Sequence, residues 1–210
     1  MTLVLPDRDD GADRKQLLLD RIVDYVLENG ITQLTLRGLA TAVGSNNRML
    51  LYYFGSREEL IIAALDGAEL RFPGMAAVIT ALDTSTAPLD ERLLSAWATI
   101  SDPANLPFHR LFFEIFGLAG FERQRFRTFL GEVGTEWVAH VSAVLVEGGV
   151  PDAQAELFAH EIVALWRGLQ ATLLTGGDRA VIDRAARAAT AALLDRVAKS
   201  TTRLQNGPSY

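Results

Sequence analysis

Cysteine is absent from the 210-residue sequence, and histidine occurs only three times. The first absence excludes a disulfide framework and any thiolate metal site, and it fits a reducing cytoplasm. The histidines, His109, His140 and His160, fall on three separate segments with no H-E-x-x-H spacing, no paired carboxylates and no nucleophile elbow nearby. Structural histidines are the default, and a meeting of His140 with His160 between neighbouring helices is the one metal arrangement that folding could create. No metal and no cofactor is expected. Glycine pairs follow helical segments rather than strands, so no phosphate-cradling loop is present. No apolar run approaches the length of a membrane span, and the opening residues MTLVLPDRDDG lack the basic start and long apolar middle of a signal peptide. There is no strand alternation and no internal repeat. These absences leave an all-α, cytoplasmic chain with no membrane partner as the expectation.

Hydrophobic residues make up 49% of the chain, enough for one substantial core or two modest ones. The net charge is −6, yet residues 14–57 hold six basic residues against three acids, a local +3 that leaves −9 elsewhere. A basic patch on an acidic body favours docking of a polyanion on one face only.

That patch contains the most informative stretch, residues 35–54, TLRGLATAVGSNNRMLLYYF. Thr35 is a good N-cap, and Leu36, Leu39, Ala40 and Val43 recur at helical spacing before Gly44, which suits the positive φ of a helix exit. Asn46 can cap a second helix whose Met49, Leu50 and Tyr53 face inward, leaving Asn47, Arg48, Leu51 and Tyr52 outward. Two helices across so short a turn form a helix-turn-helix. Arg can grip guanine O6 and N7, and Asn can pair with adenine N6 and N7, so the outward set suits a DNA major groove. An ordinary αα-corner has the same spacing. Ser56 and Glu59 then form an S-x-x-E capping box, which fixes a third helix directly behind. Gly38, inside the first helix, costs about 1 kcal/mol of helix propensity against Ala.

Over residues 14–65 the chain resembles the N-terminal domain of the tetracycline-repressor (TetR) family of bacterial regulators. The resemblance rests on Gly30, Thr35, Leu36, Leu39, Ala40, Val43, Gly44, Leu50, Tyr53, Phe54, Ser56, Glu58 or Glu59, and Leu60, at family spacing without a gap. Two positions depart from it: Ser45 stands where the family usually has Val, and Leu51 where it commonly has Tyr, so a phosphate contact from tyrosine falls to Tyr52 or Tyr53. The resemblance implies an all-α chain with an N-terminal helix-turn-helix domain, residues 12–72, and a C-terminal helical domain for ligand binding and dimerisation, residues 73–199. Residues 200–210 are expected to be a disordered tail.

The remaining segments read as helices. Asp13 can cap a helix carrying Leu18, Ile22, Tyr25 and Val26, ended by Asn29-Gly30, with the residues before it frayed. The helix from Ser56 should kink or break at Pro73 and resume to about Leu82, with a loop at 83–87. Further helices are expected at 88–100, at 108–118 with Gly117 and Gly120 marking its end, at 126–147, at 152–175 and at 178–199. Wide apolar faces on the last two suggest a subunit interface built from Phe158, Ile162, Leu165, Leu169, Leu173, Ala188 and Ala192. The resemblance implies a two-fold homodimer, which would present two reading helices about 34 to 36 Å or more apart to a near-palindromic duplex operator.

Aromatic residues are concentrated where a small-molecule effector pocket would lie. The candidates are Trp97, Phe108, His109, Phe112, Phe113, Phe116, Trp137 and Trp166, with ordinary core as the default reading for any single one of the aromatics. Glu114 and Arg167 interrupt apolar runs and need partners: each other, the dimer interface or a ligand. Arg123, Arg125 and Arg127 are most simply a solvated turn, with an anion-binding patch as the sharper alternative. The DNA-contacting set is Thr35, Arg37, Ser45, Asn46, Asn47, Arg48, Tyr52, Tyr53 and Arg57, with Asn47 and Arg48 at the bases and the others at phosphates or positioning the helix. The expected function is a DNA-binding transcriptional regulator, a repressor released by its effector. The alternatives are a helical small-molecule-binding protein without DNA binding and, more weakly, a small helical enzyme.

Overall fold

The computed structural model describes residues 8–205, and among these there are only helices and their connections. In order they are α1 (Arg8–Asn29), α2 (Leu36–Ala42), α3 (Asn47–Phe54), α4 (Arg57–Glu69), α5 (Pro73–Thr84), α6 (Leu89–Ile100), a short 3-10 turn (Pro103–Asn105), α7 (Leu106–Phe121), α8 (Arg127–Glu147), α9 (Asp152–Leu174) and α10 (Arg179–Gln205).

Three boundaries differ from those expected. α1 begins at Arg8, not behind a cap at Asp13; Asp13 lies inside the helix, exposed in its second turn. α7 runs through Gly117 and Gly120 to Phe121, because burial of Phe108, Leu111, Ile115 and Ala119 outweighs about 1 kcal/mol per glycine. α10 continues to Gln205, into the segment expected to be a disordered tail, since residues 200–205 contain neither Gly nor Pro to stop it. Residues 1–7 and 206–210, expected to be frayed, lie outside the described residues.

The chain forms two compact units. Of the described residues, one unit comprises those up to Phe72 together with Pro107–Arg127; the other comprises Pro73–Leu106 and those from Thr128 on. The break expected at Pro73 is the boundary between them. Residues 107–127, assigned from sequence to the C-terminal domain, pack instead with the first unit.

In the first unit, α1 buries Leu18, Ile22, Val23 and Val26 against α4, which buries Leu60, Ile61, Ala64 and Leu65. Contact is close at Gly67, where a Cβ would stand 2.9 Å from Val23 Cγ2. Ser56 and Glu59 form the capping box, with Glu59 N–H donating to Ser56 Oγ at 3.1 Å and Ser56 N–H to Glu59 Oε2 at 2.8 Å. Arg71, just beyond α4, donates to the Asp20 carbonyl at 2.7 Å and pairs with the Asp24 carboxylate. Glu114 of α7 reaches the turn after α1, where its Oε1 accepts from both the amide and the hydroxyl of Thr32. Gly30 makes room for it: with φ +70° it needs no side chain, and a Cβ there would fall 2.5 Å from Glu114 Oε2.

The second unit packs α5 on α6, and α10 on both α6 and α9. Its least expected residue is Arg92, buried on the apolar stripe of α6. Its guanidinium donates to the Leu82 carbonyl at 2.6 and 3.1 Å and to Glu147 Oε2 at 3.1 Å. The first contact satisfies a carbonyl that the end of α5 leaves without an intrahelical donor. Trp97 Nε1 donates to Asp183 Oδ1 at 3.0 Å, joining α6 to α10. The Arg167 guanidinium donates to the Val133 carbonyl, and burial lowers its pKa.

By length and composition α8 is the one helix among the described residues that could cross a membrane, with an 18-residue window of mean hydropathy 1.2. This qualifies the sequence expectation that no such run exists. Val138, Val141, Val144 and Leu145 are nevertheless buried within the second unit, and Glu132 and Glu136 interrupt the apolar run of this continuous helix.

Candidate nucleic-acid interface

The helix-turn-helix is assembled from local hydrogen bonds that its sequence dictates. Thr35 Oγ1 accepts the Gly38 amide at 3.1 Å and so starts α2. The Ser45 amide closes the turn onto the Ala40 carbonyl at 2.7 Å, across Gly44 at φ +68°. Asn46 Oδ1 accepts the Met49 amide at 3.0 Å and starts α3.

Leu50 and Phe54 then bury one side of α3 among Leu34, Leu39 and Val43 of the same core. With an eight-residue helix pinned on that side, the other side is settled by geometry. Asn47 and Arg48 are exposed in the first turn, Leu51 is 42% exposed, and Tyr52 is 76% exposed. Arg37 is exposed on α2. Tyr53 is half-buried, its ring 5.1 Å from that of Tyr52 and 6.5 Å from that of Phe54. These side chains form one polar and aromatic surface with an arginine and an asparagine at its leading end.

Several of the basic residues counted toward the local positive charge are committed to the fold. Arg21 Nη1 donates to the Val43 carbonyl at 3.3 Å, at the end of α2. The Lys15 ammonium lies 5.6 Å from the centre of the Phe54 ring. Arg57 donates to the Leu34 carbonyl at 3.4 Å and pairs with Glu58 at 3.7 Å. Of the two roles expected for Arg57, this geometry supports positioning of the helices. The charge available to an external anion on α2 and α3 thus comes down to Arg37 and Arg48.

The expected effector residues are divided between the two units. Phe108, His109, Phe112, Phe113 and Phe116 lie on α7 in the first. There the rings of Phe72, Phe108, Phe112 and Phe116 follow one another at 5.9, 6.5 and 5.9 Å, while Phe113 stands perpendicular to Phe112. Trp97, Trp137 and Trp166 belong to the second, where Trp137 and Trp166 meet edge to face at 6.2 Å. A groove of about 410 Å³ in the second unit is lined by Gly134, Thr135, Val138, Ala139 and Ser142 of α8 and by Asp152, Glu156 and His160 of α9. None of the eight aromatic or histidine candidates lines it. The signal missed in the sequence was polar: Asp152, Glu156 and His160 recur every four residues on α9.

Of the residues expected at a dimer interface, Phe158 and Ile162 are core of their own chain, 6% and 3% exposed. The Arg196 guanidinium, paired with Glu161, covers the Phe158 ring at 5.4 Å. Leu165, Leu169 and Leu173 are half-buried, and Ala188 and Ala192 are exposed. His140 pairs with Asp83 at 2.8 Å, and no group of three or more His, Asp or Glu side chains that could hold a metal ion occurs among the described residues.

No protein-family model matches the sequence, and neither does any curated protein. Solved structures do. A TetR-family transcriptional regulator from Rhodococcus sp. superposes with a TM-score of 0.68 at 21% identity, over 88% of this chain and 98% of its own. The multidrug-binding protein EbrR, solved with imidazole, gives 0.64 at 25% identity over 86% and 89%. A transcriptional regulator from Saccharomonospora viridis, solved with choline, gives 0.63 at 19% identity over 83% and 94%.

Proposed function

From a chain with the fold of TetR-family transcriptional regulators, we propose a sequence-specific regulator that reads duplex DNA with α3. The observation that carries this is the outward face of α3: Asn47, Arg48, Leu51 and Tyr52 stand in solvent on a helix, whose diameter of about 10 to 12 Å matches a major groove about 12 Å wide. Asn47 and Arg48 are the base contacts, and Thr35, Arg37, Ser45, Asn46, Tyr52 and Tyr53 supply or orient the phosphate contacts. Arg48→Ala should cost about 1 to 3 kcal/mol on the cognate duplex and relax specificity at one base pair. Equal loss on every sequence would make Arg48 a phosphate contact and remove it from the reading set.

The regulator acts as a cytoplasmic homodimer. Beside the half-buried Leu165, Leu169 and Leu173, the outer surfaces of α9 and α10 expose Leu157, Ala164, Gly168, Val181, Ala188 and Ala192. Small side chains there permit close helix approach, and a two-fold pairing gives two reading helices one helical turn or more apart on a near-palindromic operator. Repression is relieved by a small effector that prefers the arrangement unable to bind DNA, since equal affinity for both arrangements shifts nothing.

The groove between α8 and α9 is a candidate effector site, with a volume inside the usual range for small ligands. Its two carboxylates favour a cationic ligand, and choline, bound in one of the similar structures, is a suitable first probe. Calorimetric titration should show choline binding that weakens in Glu156→Gln. Binding that this change leaves untouched would place the effector elsewhere.

A further inference from the structure

The turn that joins α7 to α8 reads FERQRFR over residues 121–127, three arginines against one glutamate in a chain whose net charge is −6. Arg123, Arg125 and Arg127 are all exposed, and Phe121 is 94% exposed. The fold holds this turn at a particular place in the first unit. α7 runs antiparallel to α4: Phe108 near its start packs on Phe72 beyond the end of α4, with ring centres 5.9 Å apart, and Arg125 beyond its end reaches the first turn of α4. Over its 13 residues α4 spans about 20 Å, so the turn is carried from one end of that helix to the other.

The end it reaches is the one from which the reading helix departs. Arg125 Nη1 lies 3.4 Å from Glu58 Oε1, and Arg57 Nη1 lies 3.7 Å from the same oxygen. One carboxylate thus ties the middle arginine of the turn to the first residue of α4, three residues after Phe54 closes α3. Glu122 holds Arg125 from the other side at 3.1 Å. No acidic side chain among the described residues pairs with Arg123 or Arg127. Two exposed guanidinium groups without an acidic partner are what a polyanion would complement.

We propose that this turn is a second DNA contact, in which Arg123 and Arg127, held in place by the Arg125 strut, grip duplex phosphates flanking the bases read by α3. The inference rests on the reading of α3 given above. Its chemistry differs, being independent of sequence and strongly dependent on salt. Each arginine that neutralises a phosphate adds about 0.9 to the steepness of log affinity against log salt.

The test uses the full chain and an operator selected from a random duplex pool. Salt-dependent affinity is measured by fluorescence anisotropy on the operator with long flanks and on the same operator trimmed to its recognised bases. Arg123→Gln/Arg127→Gln should flatten the salt slope on the long duplex by about two units per reading unit while leaving base preference unchanged. On the trimmed duplex the variant and the parent should bind alike. Unchanged thermal melts confirm that the exposed changes do not disturb folding.

An unchanged slope on the long duplex, with Arg48→Ala still impaired, overturns the proposal and leaves the α3 reading intact. Failure of the parent to bind any duplex overturns both. The exposed Phe121 sets a last arm, co-sedimentation with phosphatidylserine–phosphatidylcholine vesicles. Vesicle binding that depends on Phe121, Arg123 and Arg127, without any effect on the salt slope, would assign the turn to a membrane surface and overturn the DNA contact.

Discussion

Replacing Asn46 with Ala removes the one side-chain acceptor that starts the reading helix, the Oδ1 that takes the Met49 amide at 3.0 Å. α3 has only 8 residues, so its unsatisfied first-turn amides are a large share of its backbone donors, and a helix this short does not persist by propensity alone. Loss of such a cap costs about 1 kcal/mol. In a unit of roughly 60 to 100 residues that lowers the melting midpoint by about 4 to 8 °C. The assay is a pair of thermal melts followed by circular dichroism, with duplex affinity measured in parallel. Asn46→Ser keeps a hydroxyl acceptor at the cap and should restore the melt. If it restores affinity as well, the role of Asn46 is to position α3; if only the melt returns, the amide itself touches DNA. A parent-like melt in Asn46→Ala would refute the capping argument.

Other perturbations follow from the same packing. Leu50→Ala, at a fully buried position, should destabilise the first unit by about 2 to 5 kcal/mol in denaturant titrations, and an effect below 1 kcal/mol would show that α3 is not anchored there. Arg92→Met leaves the Leu82 carbonyl without its donor and should cost about 1 to 3 kcal/mol of the second unit's stability. Glu114→Gln weakens two charge-assisted hydrogen bonds to Thr32, and hydrogen exchange at the Thr32 amide should accelerate. Desolvation, with Asp66 nearby, raises the Glu69 pKa above its ordinary 4.5, so the folded chain binds that proton more tightly than the unfolded chain does. The resulting penalty is present at neutral pH and fades as pH falls toward the ordinary carboxyl range. Glu69→Gln should therefore stabilise the protein at neutral pH, with the advantage shrinking in acid; a constant advantage at all pH values would contradict this.

What was legible in the sequence is what local chemistry decides. Thr35, Gly44, Asn46, Ser56 and Glu59 each act within four residues of themselves, and the caps and turns they specify are those observed. The outward face of α3 was legible from Met49, Leu50 and Tyr53, three and four residues apart; Leu50 is buried, Met49 and Tyr53 are half-buried, and Phe54 completes the anchor. Features set by distant partners were not legible. Arg92 sits on an apolar stripe, and only the fold reveals the carbonyl of Leu82 and the carboxylate of Glu147 that make its burial tolerable. That α7 packs with the first unit was not legible either, because its apolar face does not say what it packs against. Glu114 found Thr32, 82 residues away. Phe158 and Ile162 were read as interface for a related reason: a wide apolar face looks the same whether its own chain or a second copy covers it.

The central claim, that the exposed side of α3 reads base edges in duplex DNA, is tested most directly by selecting bound sequences from a random duplex pool with the parent protein and with Arg48→Ala. The parent should recover a near-palindrome whose half-sites lie about 34 to 36 Å or more apart. The variant should recover the same site with one base pair per half relaxed. Recovery of no preferred sequence, or of an identical preference from both proteins, would contradict it.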